Sequence, residues 1–61
     1  MQGTAIQKNG SWIILSEDNQ EITPTADTDF SVLYDNCFIT YEMMDDGTGA
    51  ITAHRPQNLN N

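Results

Sequence analysis

The residues able to do chemistry in this chain are few, and they fall into two groups. Cys37 and His54 are the only cysteine and the only histidine, and a thiol beside an imidazole is the arrangement that turns cysteine into a nucleophile. Glu42, Asp45 and Asp46 crowd one short stretch, and carboxylate oxygens serve hard cations or acid–base catalysis.

Neither group has a spacing that demands function. The stretch Asp45-Asp46-Gly47-Thr48-Gly49 lacks the alternating acids of a calcium loop and the bidentate acid that closes one. Thr48 and Gly49 make no phosphate loop, because no helix follows and no lysine is near. A lone cysteine excludes an internal disulfide framework and a Cys-based zinc cluster. These acids read first as a solvated turn, and a metal or small-ligand site at Glu42, Asp45 and Asp46 is the weakest functional reading. No catalytic, metal or cofactor residue is assigned, and the chain is expected not to be an enzyme.

Charge says more about partners. Nine acids against Lys8 and Arg55 give a formal net charge of −7. Phosphate binding needs clustered cations, so direct nucleic-acid binding and adsorption to anionic lipid are not expected. A basic protein surface fits this balance, since complementary charge steers encounter. The longest strictly apolar run, Trp12 to Leu15, is far short of the roughly 20 residues of a membrane helix. No apolar targeting segment follows Met1, so the expected setting is the cytoplasm.

Sixty-one residues suffice for one domain, expected over 1–55, with a polar disordered tail over 56–61. Ordering costs roughly 1.5 kcal/mol per residue, and no disulfide helps to offset it. Binding to a partner or to a second copy of the chain would supplement so small a core.

The elements that must position these residues follow from turns and alternation. Asn9-Gly10 is the dipeptide of a two-residue hairpin turn with positive φ at both positions. It pairs Lys8 with Ser11, Gln7 with Trp12, Ile6 with Ile13, Ala5 with Ile14 and Thr4 with Leu15. One face then holds Ile6, Ile13 and Leu15, and the other holds Ala5, Trp12 and Ile14. A two-residue turn at Asp18-Asn19 would set Leu15 against Ile22 and gather Ile6, Ile13, Leu15 and Ile22 into the core. A three-residue loop would instead place Ile22 beside Ile14 and exchange the faces. On the first register Trp12 and Ile14 lie outside; burial of Trp12 under the Phe30–Leu33 segment or under the tail is the competing placement.

Pro24 ends the short strand around Ile22. Asp27 or Thr28 can cap a short helix carrying Phe30, Leu33 and Tyr34 on one face, closed by a left-handed Asn36. A strand over Val32–Tyr34 is its competitor. Cys37 to Met44 is the longest strand candidate, with Cys37, Ile39, Tyr41 and Met43 toward the core and Phe38, Thr40, Glu42 and Met44 outward. A three-residue loop Asp45-Asp46-Gly47 pairs Tyr41 with Ile51, Thr40 with Thr52, Ile39 with Ala53 and Phe38 with His54. That parity puts His54 and Cys37 on opposite faces, which disfavours a catalytic pair; Cys37 reads as a small buried residue and His54 as a surface residue at a strand end.

The expected fold is all-β, with one short helical segment between strands 3 and 4: a small five-stranded OB-like or SH3-like barrel. The expected function is a non-enzymatic protein-binding module, an inhibitor or small accessory subunit. Its contact surface would be Trp12, Ile14, Phe38 and Met44 with an acidic rim of Glu17, Asp18, Asp45 and Asp46. The alternative is an acidic nucleic-acid mimic that blocks a basic nucleic-acid-binding protein.

Overall fold

The computed structural model describes residues 1–56. Five strands, β1 (Gln2–Lys8), β2 (Ser11–Ser16), β3 (Glu21–Ile22), β4 (Cys37–Met43) and β5 (Gly49–His54), form one antiparallel sheet in the order β3-β2-β1-β4-β5. A single 3-10 turn, Phe30–Val32, joins β3 to β4. Apart from Pro56, the tail expected over 56–61 lies outside the described residues. No helix among those described is long and apolar enough to cross a membrane.

The first hairpin has the register its turn dictates. Asn9 and Gly10 both take positive φ, 54° and 82°, and the ladder pairs Lys8 with Ser11 through Thr4 with Leu15, extending to Gly3 with Ser16. Its inner and outer faces, however, are the reverse of the expectation. Ala5 and Ile14 are buried together with Cys37, Ile39 and Tyr41, and Trp12, Ile22, Leu33, Tyr34 and Ile51 pack around them. Ile6, Ile13 and Leu15 form the outer side. The sheet curls tightly, so its concave side has room for small residues where strands approach. A Cβ at Gly3 would come within 2.6 Å of the Leu15 carbonyl oxygen, and one at Gly49 within 2.8 Å of the Ile14 side chain.

The β2–β3 connection accounts for the exchange. Asn19 adopts φ 67°, the Ser16 N–H donates to Gln20 O at 2.9 Å and the Asn19 N–H to Ser16 O at 3.0 Å. This is a three-residue loop, Glu17 to Asn19, closed by a left-handed residue. Ile14 therefore faces Ile22 and Leu15 faces Glu21, overturning the two-residue turn and sending Ile22 inward with Ile14.

Strand β4 points Cys37, Ile39 and Tyr41 into the core as expected, while Met43, at the sheet end, stays 40% exposed. The Asp45-Asp46-Gly47 loop forms with Gly47 at φ 88° and pairs Tyr41 with Ile51. The remaining pairings are corrected by a bulge at Thr52: beyond it Thr40 faces Ala53 and Ile39 faces His54. Bulges raise local twist and bend a strand, and this one lies past Gly49, the residue through which β5 meets the Thr23–Thr25 segment.

Between β3 and β4 the helical cap falls on Asp29 rather than on Asp27 or Thr28. Its carboxylate accepts from Ser31 N–H at 3.0 Å, and the turn closes with Leu33 N–H on Phe30 O. Asn36 has the expected left-handed φ, 67°. This segment covers one end of the core: Phe30 stacks on Trp12 with ring centroids 6.2 Å apart, and the Tyr34 hydroxyl donates to Arg55 O at 3.0 Å. The edges of the curled sheet touch once, where Gly49 N–H donates to Thr23 O at 2.9 Å and Thr25 N–H to Gly49 O at 3.0 Å. This bridge centres on the buried Pro24; it is isolated, and the expected barrel does not close.

Candidate functional site

The registers place Leu15, Thr4 and Phe38 side by side across β2, β1 and β4, on the outer face, with Ile6 and Ile13 in the adjoining row. Phe38 is 60% exposed. It stands between two shallow recesses. One, of about 180 Å³, is lined by Thr4, Leu15, Glu17 and Phe38 among others; the other, of about 210 Å³, includes Thr40, His54 and Arg55. The Arg55 guanidinium sits 5.6 Å from the Phe38 ring centre, a cation–π contact of about 0.5–1 kcal/mol at an exposed site. Along the same face Lys8 Nζ meets Glu21 Oε2 at 2.7 Å with both side chains about half exposed, a pair stabilising by about 0.2–1 kcal/mol.

Charge is distributed unevenly along the strands. The β2–β3 and β4–β5 turns lie at the same end of the sheet, since Gly3 pairs with both Ser16 and Ile39. That end carries Glu17, Asp18, Glu42, Asp45 and Asp46. Lys8 and Arg55 lie toward the other end, beside the Asn9-Gly10 turn and beyond His54. Many carboxylates are tied to their own loops. Asp18 accepts from the Ser16 hydroxyl and Asp27 from the Thr25 hydroxyl at 2.7 Å, whereas Asp35 reaches across to β1 and accepts from the Gln7 N–H at 3.0 Å. Asp46 accepts from the Thr48 hydroxyl at 2.6 Å and its N–H at 3.0 Å. Those two bonds favour the charged form and hold the Asp46 carboxyl below its ordinary value, as the Ser31 hydroxyl and N–H do for Asp29. Burial, followed by the Cys37 thiol nearby, pushes the Tyr34 hydroxyl up.

Of the residues expected to contact a partner, the structure brings Phe38 to the outer face and Met44, 46% exposed, to the acidic end. Glu17, Asp18, Asp45 and Asp46 are exposed in their turns. Trp12 and Ile14 are not on that surface: Ile14 is fully buried and Trp12 packs inward under Phe30. Ile6, Ile13 and Leu15, which had been assigned to the core, take their place outside. The signal for this was the run Gly3, Ala5 on alternate positions of β1, small residues marking the crowded side.

The bulge also changes the relation of Cys37 to His54. Parity no longer separates them, because His54 now faces Ile39, on the side of Cys37. Cys37 is nonetheless fully enclosed, its thiol directed at the carbonyl oxygens of Phe38 and Arg55 at 3.5 Å each, while His54 is exposed. Among the described residues no group of three or more His, Cys, Asp or Glu side chains is gathered to hold a metal ion. Glu42, Met43, Met44, Asp45 and Asp46 line an open recess of about 500 Å³. Comparison with known proteins finds no match, whether among family models, curated proteins or solved structures.

Proposed function

We propose that this chain is a non-enzymatic protein-binding module whose contact surface is the outer face of β2, β1 and β4. The observation that carries the reading is the exposed Phe38 ring, continuous with Leu15, Ile6 and Ile13 and flanked by a recess that ends at Glu17. An aromatic anchor beside a recess is the pattern of a binding hot spot. The acidic end of the sheet supports a partner with a basic surface, which it would attract and orient. Met44 lies at that end and adds an adaptable apolar contact. The role is that of an inhibitor or small accessory subunit acting in the cytoplasm.

The element order and the contact between the β3 side and β5 favour an OB-like over an SH3-like barrel type. Fold likeness supplies no function, and a net charge of −7 runs against the oligonucleotide ligands common to OB-like domains. A second reading is the acidic nucleic-acid mimic, supported by the gathering of Glu17, Asp18, Glu42, Asp45 and Asp46 at one end. Their mutual arrangement would have to follow phosphate spacing on a basic groove.

Capture of partners from the cells that make this chain, at low and at high salt, separates the two. With Phe38→Ser beside the parent chain, the apolar-face reading expects capture to persist in salt and to fail for the variant. Capture abolished by salt and indifferent to Phe38→Ser would favour the mimic. If Phe38→Ser and the parent capture the same proteins at both salt concentrations, the outer-face reading fails.

A further inference from the structure

The contact between the two edges of the sheet is unfinished, and its open part has the features of a peptide groove. Both backbone groups of Tyr41 turn toward Met1, at 2.7 and 2.8 Å, so Tyr41 and its partner Ile51 exchange no hydrogen bonds. In an antiparallel ladder the backbone groups of such a pair point outward, and those of Ile51 therefore point away from β4. Gly49, two residues earlier with the same orientation, satisfies its groups with Thr23 and Thr25. Continuing that pairing to Ile51 would need the Thr25 carbonyl. This carbonyl instead accepts the Thr28 N–H at 3.2 Å as the chain turns away. On that side no backbone partner for Ile51 is present among the described residues.

The turn leaves a cleft of about 350 Å³ between β5 and the Thr25–Val32 segment, at the small end of the roughly 300–1,000 Å³ usual for ligand clefts. Ala50, Ile51 and Val32 contribute apolar lining, and Asp27 and Asp29 stand exposed on one wall, facing His54 across the gap. We infer that this cleft accepts a short, extended, cationic peptide segment, which adds to the β5 edge through the backbone of Ile51 and sets its basic side chains against Asp27 and Asp29. Strand addition draws affinity from main-chain hydrogen bonds and selectivity from the side chains on alternate positions. Charge complementarity favours this guest over a second copy of the chain, which would bring its own net charge of −7 against the same two carboxylates. The bulge at Thr52 ends regular pairing just past Ile51, so the guest is short. This site lies on the sheet edge and stands or falls independently of the outer-face reading.

The test is an amide-resolved NMR titration of the whole chain at low salt with the end-blocked pentapeptide Lys-Val-Lys-Val-Lys. Shifts are expected at Ala50–His54 and Thr25–Asp29, with slowed hydrogen exchange at Ile51. Methylating alternate peptide nitrogens should weaken binding about fivefold or more. The double variant Asp27→Asn, Asp29→Asn keeps the acceptor oxygens that cap Thr25 and Ser31, so it should fold normally and bind about fivefold more weakly. The inference is overturned by the absence of shifts at millimolar peptide, by shifts centred on Phe38 or elsewhere outside the cleft, by equal binding of the methylated peptide, or by the same shifts appearing on raising protein concentration alone.

Discussion

The two hairpins of this domain are built from comparable parts and behave differently. In β1–β2, a two-residue turn sets a register that runs unbroken from Lys8–Ser11 to Gly3–Ser16. In β4–β5, a three-residue turn sets a register that holds from Met43–Gly49 to Tyr41–Ile51 and then slips at Thr52. Turn chemistry thus governs a ladder locally, over the few pairs next to it. Farther out the ladder takes in one extra residue, and β5 bends and twists past the part that the turn controls.

The largest expected effect contrasts the two sides of the first hairpin. Ile14→Ala should destabilise by about 2–5 kcal/mol, as should Ile39→Ala in the second, because both side chains are enclosed. Ile13→Ala, on the outer side, should cost distinctly less. Urea denaturation of the three variants measures this, and equal losses for Ile13 and Ile14 would undo the assignment of inner and outer faces. Gly49→Val should come next, at about 1–3 kcal/mol, since its first carbon would already stand 2.8 Å from Ile14 and 3.1 Å from Ile22. A melting curve for Gly49→Val that matches the parent would mean the edge contact is loose.

Gly10→Ala should cost about 1–2 kcal/mol, the penalty of a left-handed backbone for an ordinary residue, since Gly10 holds φ 82° with open space around it. Deleting Thr52 sharpens the contrast: if the bulge is imposed from outside the strand, Ala53 should bulge in its place and cross-strand NOEs should set Ile39 opposite Arg55 rather than His54. If the ladder becomes regular and stability rises, the bulge was a feature of local sequence alone. The smallest effect is a pH dependence. Hydrogen bonds from Thr48 depress the Asp46 carboxyl in the folded state, and those from Ser31 depress Asp29, relative to an ordinary value of 3.8. A lowered folded-state value stabilises above the unfolded value and is lost as pH falls through the folded one. Asp46→Asn and Asp29→Asn should therefore flatten the acid limb of a stability–pH profile below about pH 4, each variant lying slightly below the parent at neutral pH and converging on it at low pH. A parallel limb in both variants would remove these caps from the acid response.

Much of this fold could be read from the chain, and the misreadings share one cause. Asn9-Gly10 and Asp45-Asp46-Gly47 specify their turns by backbone chemistry, which acts on immediate neighbours, and both formed as read. The β2–β3 loop was misjudged because an aliphatic count favoured uniting Ile6, Ile13, Leu15 and Ile22, whereas Asn19 could close a three-residue loop just as Gly47 does. The inside of a tightly curled sheet is chosen by room as well as by hydrophobicity, and Gly3 and Ala5 marked the narrow side. For the candidate surface, Phe38 was readable from strand parity on β4. Leu15, Ile6 and Ile13 were not, because their exposure depends on which way the whole sheet curls. The opening beside Ile51 depends on where the Thr25–Thr28 turn diverts the chain, a tertiary event with no local signature.

The complete enclosure of the sole thiol, Cys37, turns the molecule into its own reporter of transient opening. A thiol-specific reagent can reach that sulfur only when β4 parts from its neighbours or the Tyr34–Arg55 tether lifts. The labelling rate under mild conditions then measures the free energy of that excursion without any denaturant. Repeated with a bound partner, the same chemistry would tell which strands a ligand holds shut. A guest at the β5 edge would slow labelling more than one seated on the outer face, and a single cysteine leaves no second site to confuse the count.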